Sequence, residues 1–425
     1  MQATSTARTA EPRRRPRNRR AQIALAAAEL FCERGYHGVG IDEIAAAVGI
    51  SGPAVYRHFP TKYAILVHAT RELSDALSTA ADEALATGGE PAERLDRLLG
   101  AMARISVERR RVGALYQWEA RYLQPEHRVE FRQELTALVR RISDLLLALR
   151  DDLPKSAAVL LSRAALSAIG SISTHRATIT DGRAEQILRT AAWTLLTADL
   201  PAGATDHDGG TGDDGGTGHS GGTGHSGEAG HSGEAGAPAV VRPGSRREIL
   251  LTEAIRLFDR LGYHAVGIDD IGRAAGINAS GVYRYFPGKA DLLAAVYYRA
   301  AERLTASVTG SLTTASSLPD GLRRLVDAHV DLAFDESDLI SVYLAENNNL
   351  PAADRHELRR VQRLHVEEWV RLLRSIRPEL AATEARLLVH AALNLVMDLG
   401  RLTGFDRSNG SDRQVRVLAL RMLVP

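Results

Sequence analysis

Apolar residues recur at spacings of three and four between residues 19 and 34, which predicts an amphipathic helix with one buried face. The buried positions predicted for this helix are Ile23, Ala27, Leu30 and Phe31. Gly35 follows them and is expected to end the helix, because glycine readily adopts the left-handed conformation found just after helices. A second helix is predicted between Gly40 and Gly49, and its inward-facing positions are Ile41, Ile44, Ala45 and Val48.

A third, shorter helix is predicted over residues 52–59. Ser51 is expected to cap it, and Pro53 lies in its first turn. Val55 and Phe59 would pack on the first two helices, which leaves an outer side carrying Gly52, Pro53, Ala54, Arg57 and His58. Small residues at its start and hydrogen-bond donors at its end are typical of a recognition helix that enters a DNA major groove. Residue types alone leave a second interpretation open, a plain three-helix packing unit.

The same pattern occurs twice in the chain. Residues 40–59 read GIDEIAAAVGISGPAVYRHF, and residues 267–286 read GIDDIGRAAGINASGVYRYF. The offset of 227 residues holds without a gap from residue 31 to residue 62, and 18 of these 32 positions are identical in the second copy. Weaker matches at the same offset continue as far as Arg128 and Arg355, so we expect two whole domains in tandem.

Composition is that of an ordinary water-soluble protein. Apolar residues make up 44% and charged residues 25% of the 425 positions, and the longest apolar runs are shorter than the ~18 residues that a membrane span needs. Residues 1–20 lack the apolar core of a secretory signal, and Cys32 is the only cysteine. We therefore expect a cytoplasmic protein with no membrane partner. Cys32 is interpreted as a buried packing residue, with a redox switch as the alternative.

Two segments are unsuited to building a core. Residues 1–20 hold seven arginines against one glutamate, although the whole chain carries only +1. This arm is either a solvated tail or a segment that lies on DNA phosphates or in a minor groove. Residues 201–243 are rich in glycine, serine and histidine, which predicts a flexible linker. Soluble filler and metal chelation are the two interpretations of the linker residues His207, His219, His225 and His231.

The duplicated motif resembles that of the TetR/AcrR family of bacterial transcriptional regulators. The family pattern xxIxDIAxxAGVSxGxxYxxFxxKxxLL is matched by GIDEIAAAVGISGPAVYRHFPTKYAIL and by GIDDIGRAAGINASGVYRYFPGKADLL. The resemblance implies a helix-turn-helix domain that binds a double-stranded DNA operator, followed by a helical domain for ligand binding and dimerisation.

An all-α fold of two tandem TetR-like modules is therefore expected. Strand-like alternation is scarce and aromatic residues make up only 5% of the chain, which agrees with an all-α class. The predicted segments are an Arg-rich arm (1–16), a first DNA-binding domain (17–77), a first ligand and dimerisation domain (78–200), the linker (201–243), a second DNA-binding domain (244–304) and a second ligand and dimerisation domain (305–425).

The resemblance also implies roles for single residues. Phosphate contacts are implied for Tyr56, His58, Lys62, Tyr283, Tyr285 and Lys289. Base contacts are implied for Ser51, Gly52, Pro53, Ala54, Asn278, Ala279, Ser280 and Gly281. Arg57 and Arg284 offer further donors at one shared position. Gly40 and Gly267 stand where family members commonly have Thr, so a hydroxyl that would cap the helix and reach a phosphate is absent.

An effector pocket inside each helical domain is a further implication. The candidate pocket residues are Trp118, Tyr122, His175, Tyr343, Trp369 and Asn394, and core packing or a surface ion pair is the alternative for each. The tandem arrangement resembles the double-TetR repressors of actinobacteria, which implies a small apolar, lipid-like effector. No cofactor and no metal site are expected.

The expected function is a ligand-released repressor that is not an enzyme, since phosphate-loop, zinc-ligand and nucleophile-elbow patterns are lacking. The third helices start with different residues, so we expect an asymmetric operator. We expect the copies to pair as a pseudo-dimer through residues 155–198 and 382–425, with association of further chains left open. The alternative function is a ligand-binding or scaffold protein in which one or both DNA-binding domains no longer bind DNA.

Overall fold

The computed structural model describes residues 18–117, 122–175, 178–201 and 245–425, and these residues form an all-α protein without strands. The Arg-rich arm of residues 1–16, the linker histidines and Trp118 lie outside the described residues.

Nine helices are described in the first half of the chain. They are α1 (Arg19–Arg34), α2 (Ile41–Ala47), α3 (Gly52–Tyr56), α4 (Lys62–Ala86), α5 (Pro91–Glu108), α6 (Ala114–Gln117), α7 (Pro125–Leu149), α8 (Lys155–Gly170) and α9 (Asp181–Leu196). The first head, α1–α3, packs on α4, and α4–α9 form the first bundle.

The second half repeats this order. Its helices are α10 (Arg246–Leu261), α11 (Ile268–Ala274), α12 (Ala279–Val282), α13 (Lys289–Thr313), α14 (Leu318–Asp335), α15 (Ser337–Ala345), α16 (Ala352–Ile376), α17 (Ala382–Leu402) and α18 (Ser411–Leu423). The second head is α10–α12, and the second bundle is α13–α18. Helices α13, α14 and α16 begin and end 227 residues after α4, α5 and α7, so the predicted duplication extends through both bundles.

The local signals read from the first copy explain the shape of the heads. Ile23, Phe31, Val55 and Phe59 are buried in one cluster, as the apolar spacing predicted. Gly35 and Gly49 end their helices at positive φ (75° and 68°), where a side chain would be strained. The third helix ends at Tyr56 rather than at residue 59, and the chain continues in a turn.

The two halves meet through the last two long helices of each bundle. Helices α8 and α9 pack against α17 and α18, and one continuous cluster of buried apolar residues includes side chains from both halves. Ser167 of α8 and Asn394 of α17 occupy equivalent positions and are hydrogen-bonded to each other (3.1 Å). In the heads, the equivalent His37 and His264 also touch, with ring centroids 4.6 Å apart. A pseudo-twofold axis therefore relates the halves.

One described helix is long and apolar enough to cross a membrane, the segment Lys155–Ser173. About half of it (56%) is buried within the protein. It packs against α9 and α17, so its apolar surface takes part in the contact between the halves.

Candidate DNA-binding surface and ligand cavities

The exposed side of α3 is smaller than the sequence predicted. Tyr56 is 55% exposed, and Ser51, Pro53 and Arg57 are exposed as well. Ala54 and His58 are half-buried. Gly52 is buried, and its expected outward position is wrong: a Cβ at Gly52 would collide with the Asp42 carboxylate of α2.

The second recognition helix, α12, exposes a more polar set of residues. Tyr283 is 55% exposed and Tyr285 41%, and Asn278, Ser280 and Arg284 are exposed too. Ala279 and Gly281, also expected to face bases, are half-buried.

The two helix starts differ in how they are capped. The Asn278 Oδ1 accepts hydrogen bonds from the Gly281 N–H and the Ser280 hydroxyl, both at 2.9 Å. Ser51 precedes α3 but makes no side-chain capping bond, so its expected cap is wrong in this respect. The polar groups offered at the start of each recognition helix therefore differ.

Lys62 and Lys289 hold the head loops in place. The Lys62 Nζ donates to the carbonyls of Tyr36 and Val39 (both 2.9 Å), and the Lys289 Nζ donates to the equivalent carbonyls in the second head (2.9 and 2.8 Å). Each ammonium also lies over the ring of the tyrosine that it binds. Partial burial lowers the pKa of both lysines. One N–H of each remains for a phosphate, and that contact stays a prediction.

Carboxylates compensate for the threonines missing at the start of α2 and α11. The Gly40 N–H donates to Glu43 Oε2 (2.8 Å), and the Gly267 N–H donates to Asp270 Oδ2 (2.9 Å). These backbone donors lower the pKa of Glu43 and of Asp270. The helices are capped without the hydroxyl, although the cap brings negative charge to this end.

Aromatic and acidic contacts join each head to its bundle. The Tyr122 ring stacks on Tyr36 (5.6 Å) and lies edge-on to His37 (4.7 Å). Tyr122 therefore lies between head and bundle, and its expected place in an effector pocket is wrong. In the second half, the buried carboxylate of Glu346 accepts the Tyr263 N–H at 3.1 Å.

A first cavity of about 380 Å³ lies in the first bundle. Its walls are mostly apolar side chains of α4, α5, α7 and α8, with the guanidinium groups of Arg109 and Arg163 among them. Burial lowers the pKa of Arg163. Asp398 and Arg401 of α17 complete the wall, so the second half contributes to the first cavity.

A second cavity of about 240 Å³ lies in the second bundle. The predicted residues Tyr343 and Asn394 line it, together with His329 and His365, which the sequence did not single out. Trp369 does not line it but packs behind both histidines, with ring centroids 5.9 and 6.4 Å away.

His175 faces neither cavity wall of its own bundle. Its ring stacks on His390 of α17, with centroids 4.4 Å apart, and both line a groove between the two halves. Burial lowers the pKa of His175 well below its usual value and that of His390 to about 4. Both rings are therefore neutral near pH 7, and the expected pocket role of His175 moves to the groove.

Family descriptions match the chain at both heads. The description "Bacterial regulatory proteins, tetR family" matches residues 23–69 and 250–296, and "Tetracyclin repressor-like, C-terminal domain" matches residues 88–174. The chain belongs to the TetR family. Regulators of this family are not enzymes, as the sequence predicted.

Relatives match only part of this TetR-family chain. The transcriptional activator FasR of Mycolicibacterium smegmatis is 40% identical over 83 residues, which span 19% of this chain and 38% of FasR. The transcriptional repressor KstR2 of Rhodococcus jostii is 28% identical over 124 residues, spanning 29% of this chain and 61% of KstR2. Both matches cover less than two thirds of the relative.

Solved structures of the family align with one module of the chain. The regulator PfmR of Thermus thermophilus is 26% identical, and the alignment covers 41% of this chain and 96% of PfmR with a TM-score of 0.37.

The structure adds two candidate DNA contacts to this TetR-family chain. Exposed Arg20 lies over the Phe59 ring (4.8 Å), and the equivalent Arg247 lies over Phe286 (5.1 Å), so each guanidinium is held beside a recognition helix. Their recurrence at the same offset was the sequence signal for them. Within the described ranges, no group of three or more His, Cys, Asp or Glu is placed to hold a metal ion.

Proposed function

We propose that this chain is a cytoplasmic transcriptional regulator that reads one double-stranded DNA operator with both heads. One observation carries the proposal: α3 and α12 expose the same Tyr-Arg pair on heads that touch through equivalent residues. Arginine and tyrosine are frequent donors to phosphates and base edges. Two recognition helices of one dimer-like unit normally enter successive major grooves, about 34–36 Å apart.

The proposed operator has two different half-sites. The first recognition helix offers Ser51 and Pro53 at its start, whereas the second offers Asn278 and Ser280. An asparagine amide is suited to pair with adenine in the major groove, and a proline ring offers only apolar contact.

The proposed reading unit is an intramolecular pseudo-dimer. The apolar contact of α8 and α9 with α17 and α18 takes the place of the interface between two subunits. The linker holds the halves together, so that pairing does not depend on the concentration of the protein.

Ligand release is proposed as the control. A ligand that fits a cavity better when the heads are misaligned shifts the protein toward that form by its difference in affinity. The first cavity suits a lipid-like anion, because an apolar wall lies beside two guanidinium groups. Repression is the proposed sign, since a bound regulator blocks its operator until the ligand arrives.

Arginine variants test the DNA-binding part of the proposal. Arg57→Ala and Arg284→Ala should each weaken binding of the operator fragment by about 1–3 kcal/mol, measured by gel shift at fixed salt. Each variant should relax discrimination in its own half-site only. Arg132→Ala, an exposed arginine on α7, is the matched charge control. Unchanged binding in both variants would instead favour a scaffold protein that no longer binds DNA.

A further inference from the structure

The second cavity contains buried polar atoms without partners. His329 is 8% exposed, and neither of its ring nitrogens has a hydrogen-bond partner among the described residues. The same holds for both ring nitrogens of His365 and for the indole nitrogen of Trp369 behind them. Buried polar groups in native proteins are nearly always hydrogen-bonded, so such a cluster at a cavity wall indicates an occupant.

The first cavity shows that the fold does not need these histidines. Because the copies are offset by 227 residues, His329 and His365 correspond to Met102 and Leu138. Met102 and Leu138 line the first cavity, and Trp369 corresponds to buried Ile142. The same positions thus pack as an apolar wall in one half and carry unpaired nitrogens in the other. The difference belongs to what each cavity binds.

The charge of the walls separates the two cavities further. No Lys, Arg, Asp or Glu is among the described residues that line the second cavity, whereas the first has Arg109, Arg163, Asp398 and Arg401. Burial lowers the pKa of His329 to about 3 and that of His365 to about 4. Near pH 7 each ring is neutral and offers one donor and one acceptor. An anion would find no countercharge there, and a hydrocarbon would leave the nitrogens unpaired.

We propose that the second cavity binds a small uncharged molecule, an apolar ring bearing a hydroxyl or carbonyl group, through His329 and His365. This rests on the proposed function in that the cavity is an effector site of a regulator. It goes beyond that function because one chain then senses two chemically different ligands, an amphipathic anion in the first half and a neutral polar ring in the second.

The test uses the full chain without DNA and three probes of similar shape: phenol, benzene and benzoate. Binding is followed by calorimetry and by the side-chain NMR signals of ¹⁵N-labelled histidine. Phenol should shift the His329 and His365 signals and bind about tenfold or more tightly than benzene, because only phenol pairs the ring nitrogens. Benzoate should bind this cavity most weakly.

The matched variant is His329→Met with His365→Leu, which installs the residues of the first cavity and is therefore compatible with the fold. It should remove the preference for phenol over benzene while leaving thermal stability similar. Met102→Leu, in the first cavity, should leave phenol binding unchanged. Equal binding of phenol and benzene, preferred binding of benzoate, histidine signals that phenol does not move, or a double variant that keeps the preference would each overturn the inference. Operator binding, measured separately, reports on the proposed function and not on this site.

Discussion

At the scale of single residues, side chains expected to touch DNA also build the head. Lys62 and Lys289 each hold two carbonyls of the loop after the first helix of their head, and a tyrosine ring lies beneath each ammonium. The position of the recognition helix therefore depends on an interaction that sequence alone could not separate from a phosphate contact.

Lys62→Met should destabilise the protein by about 1–3 kcal/mol, because it leaves two half-buried carbonyls without their donor. Denaturant unfolding of the full chain measures this loss. Lys155→Met is the control: Lys155 is exposed and makes no side-chain hydrogen bond or ion pair in the described structure, so it should change stability by less than about 0.5 kcal/mol. A stable Lys62→Met variant with weakened DNA binding would show that phosphate contact is the main role of this lysine.

At the scale of elements, α8 and α17 are joined by a polar bridge within an apolar contact. The Ser167 hydroxyl donates to Asp398 Oδ2 (2.7 Å), and the Asn394 amide donates to the same carboxylate oxygen (2.8 Å) and to Ser167 Oγ (3.1 Å). Ser167 and Asp398 line the first cavity and Asn394 lines the second. The bridge therefore lies between the two proposed ligand sites.

Ser167→Ala should cost about 1 kcal/mol or more, since it removes one donor to a partly buried carboxylate and one acceptor for the amide. Ser162→Ala is the matched control on the same helix, because its buried hydroxyl bonds only to the Ala158 carbonyl within α8. Thermal unfolding of the two variants gives the comparison. A smaller loss for Ser167→Ala than for Ser162→Ala would mean that the bridge contributes nothing to the contact between halves.

At the scale of the whole molecule, one chain does what two identical subunits would otherwise do. Equivalent residues meet at the pseudo-twofold axis, yet they differ in chemistry at Ser167 and Asn394, which identical subunits could not achieve. Duplication thus allowed the recognition helices, the cavities and the axis to become unlike each other.

Cutting the linker should make operator binding depend on protein concentration. A protease site inserted between Gly221 and Gly222 allows cleavage, after which the apolar contact alone holds the halves together. Gel shifts of cut and uncut protein over a dilution series should coincide at high concentration and separate at low concentration, because the effective concentration supplied by the linker is lost. Identical curves at every dilution would show that the contact needs no linker.

The sequence by itself determined the duplicated module, the all-α class, the glycine helix ends and the buried face of the first helices. These depend on spacings of three or four residues and on backbone freedom at Gly35 and Gly49, which are local properties. For the same reason the Tyr-Arg pair of each recognition helix could be predicted to lie near the surface.

Only the tertiary structure decided which distant residues meet. Tyr122 joins a head to its bundle, Gly52 is closed off by Asp42, and His329 and His365 face one cavity from two helices. Helix periodicity states which face is buried but not what lies opposite, because that depends on how helices pack across long stretches of chain. Two unremarkable helical histidines thus became a candidate ligand site only when α14 and α16 were placed side by side.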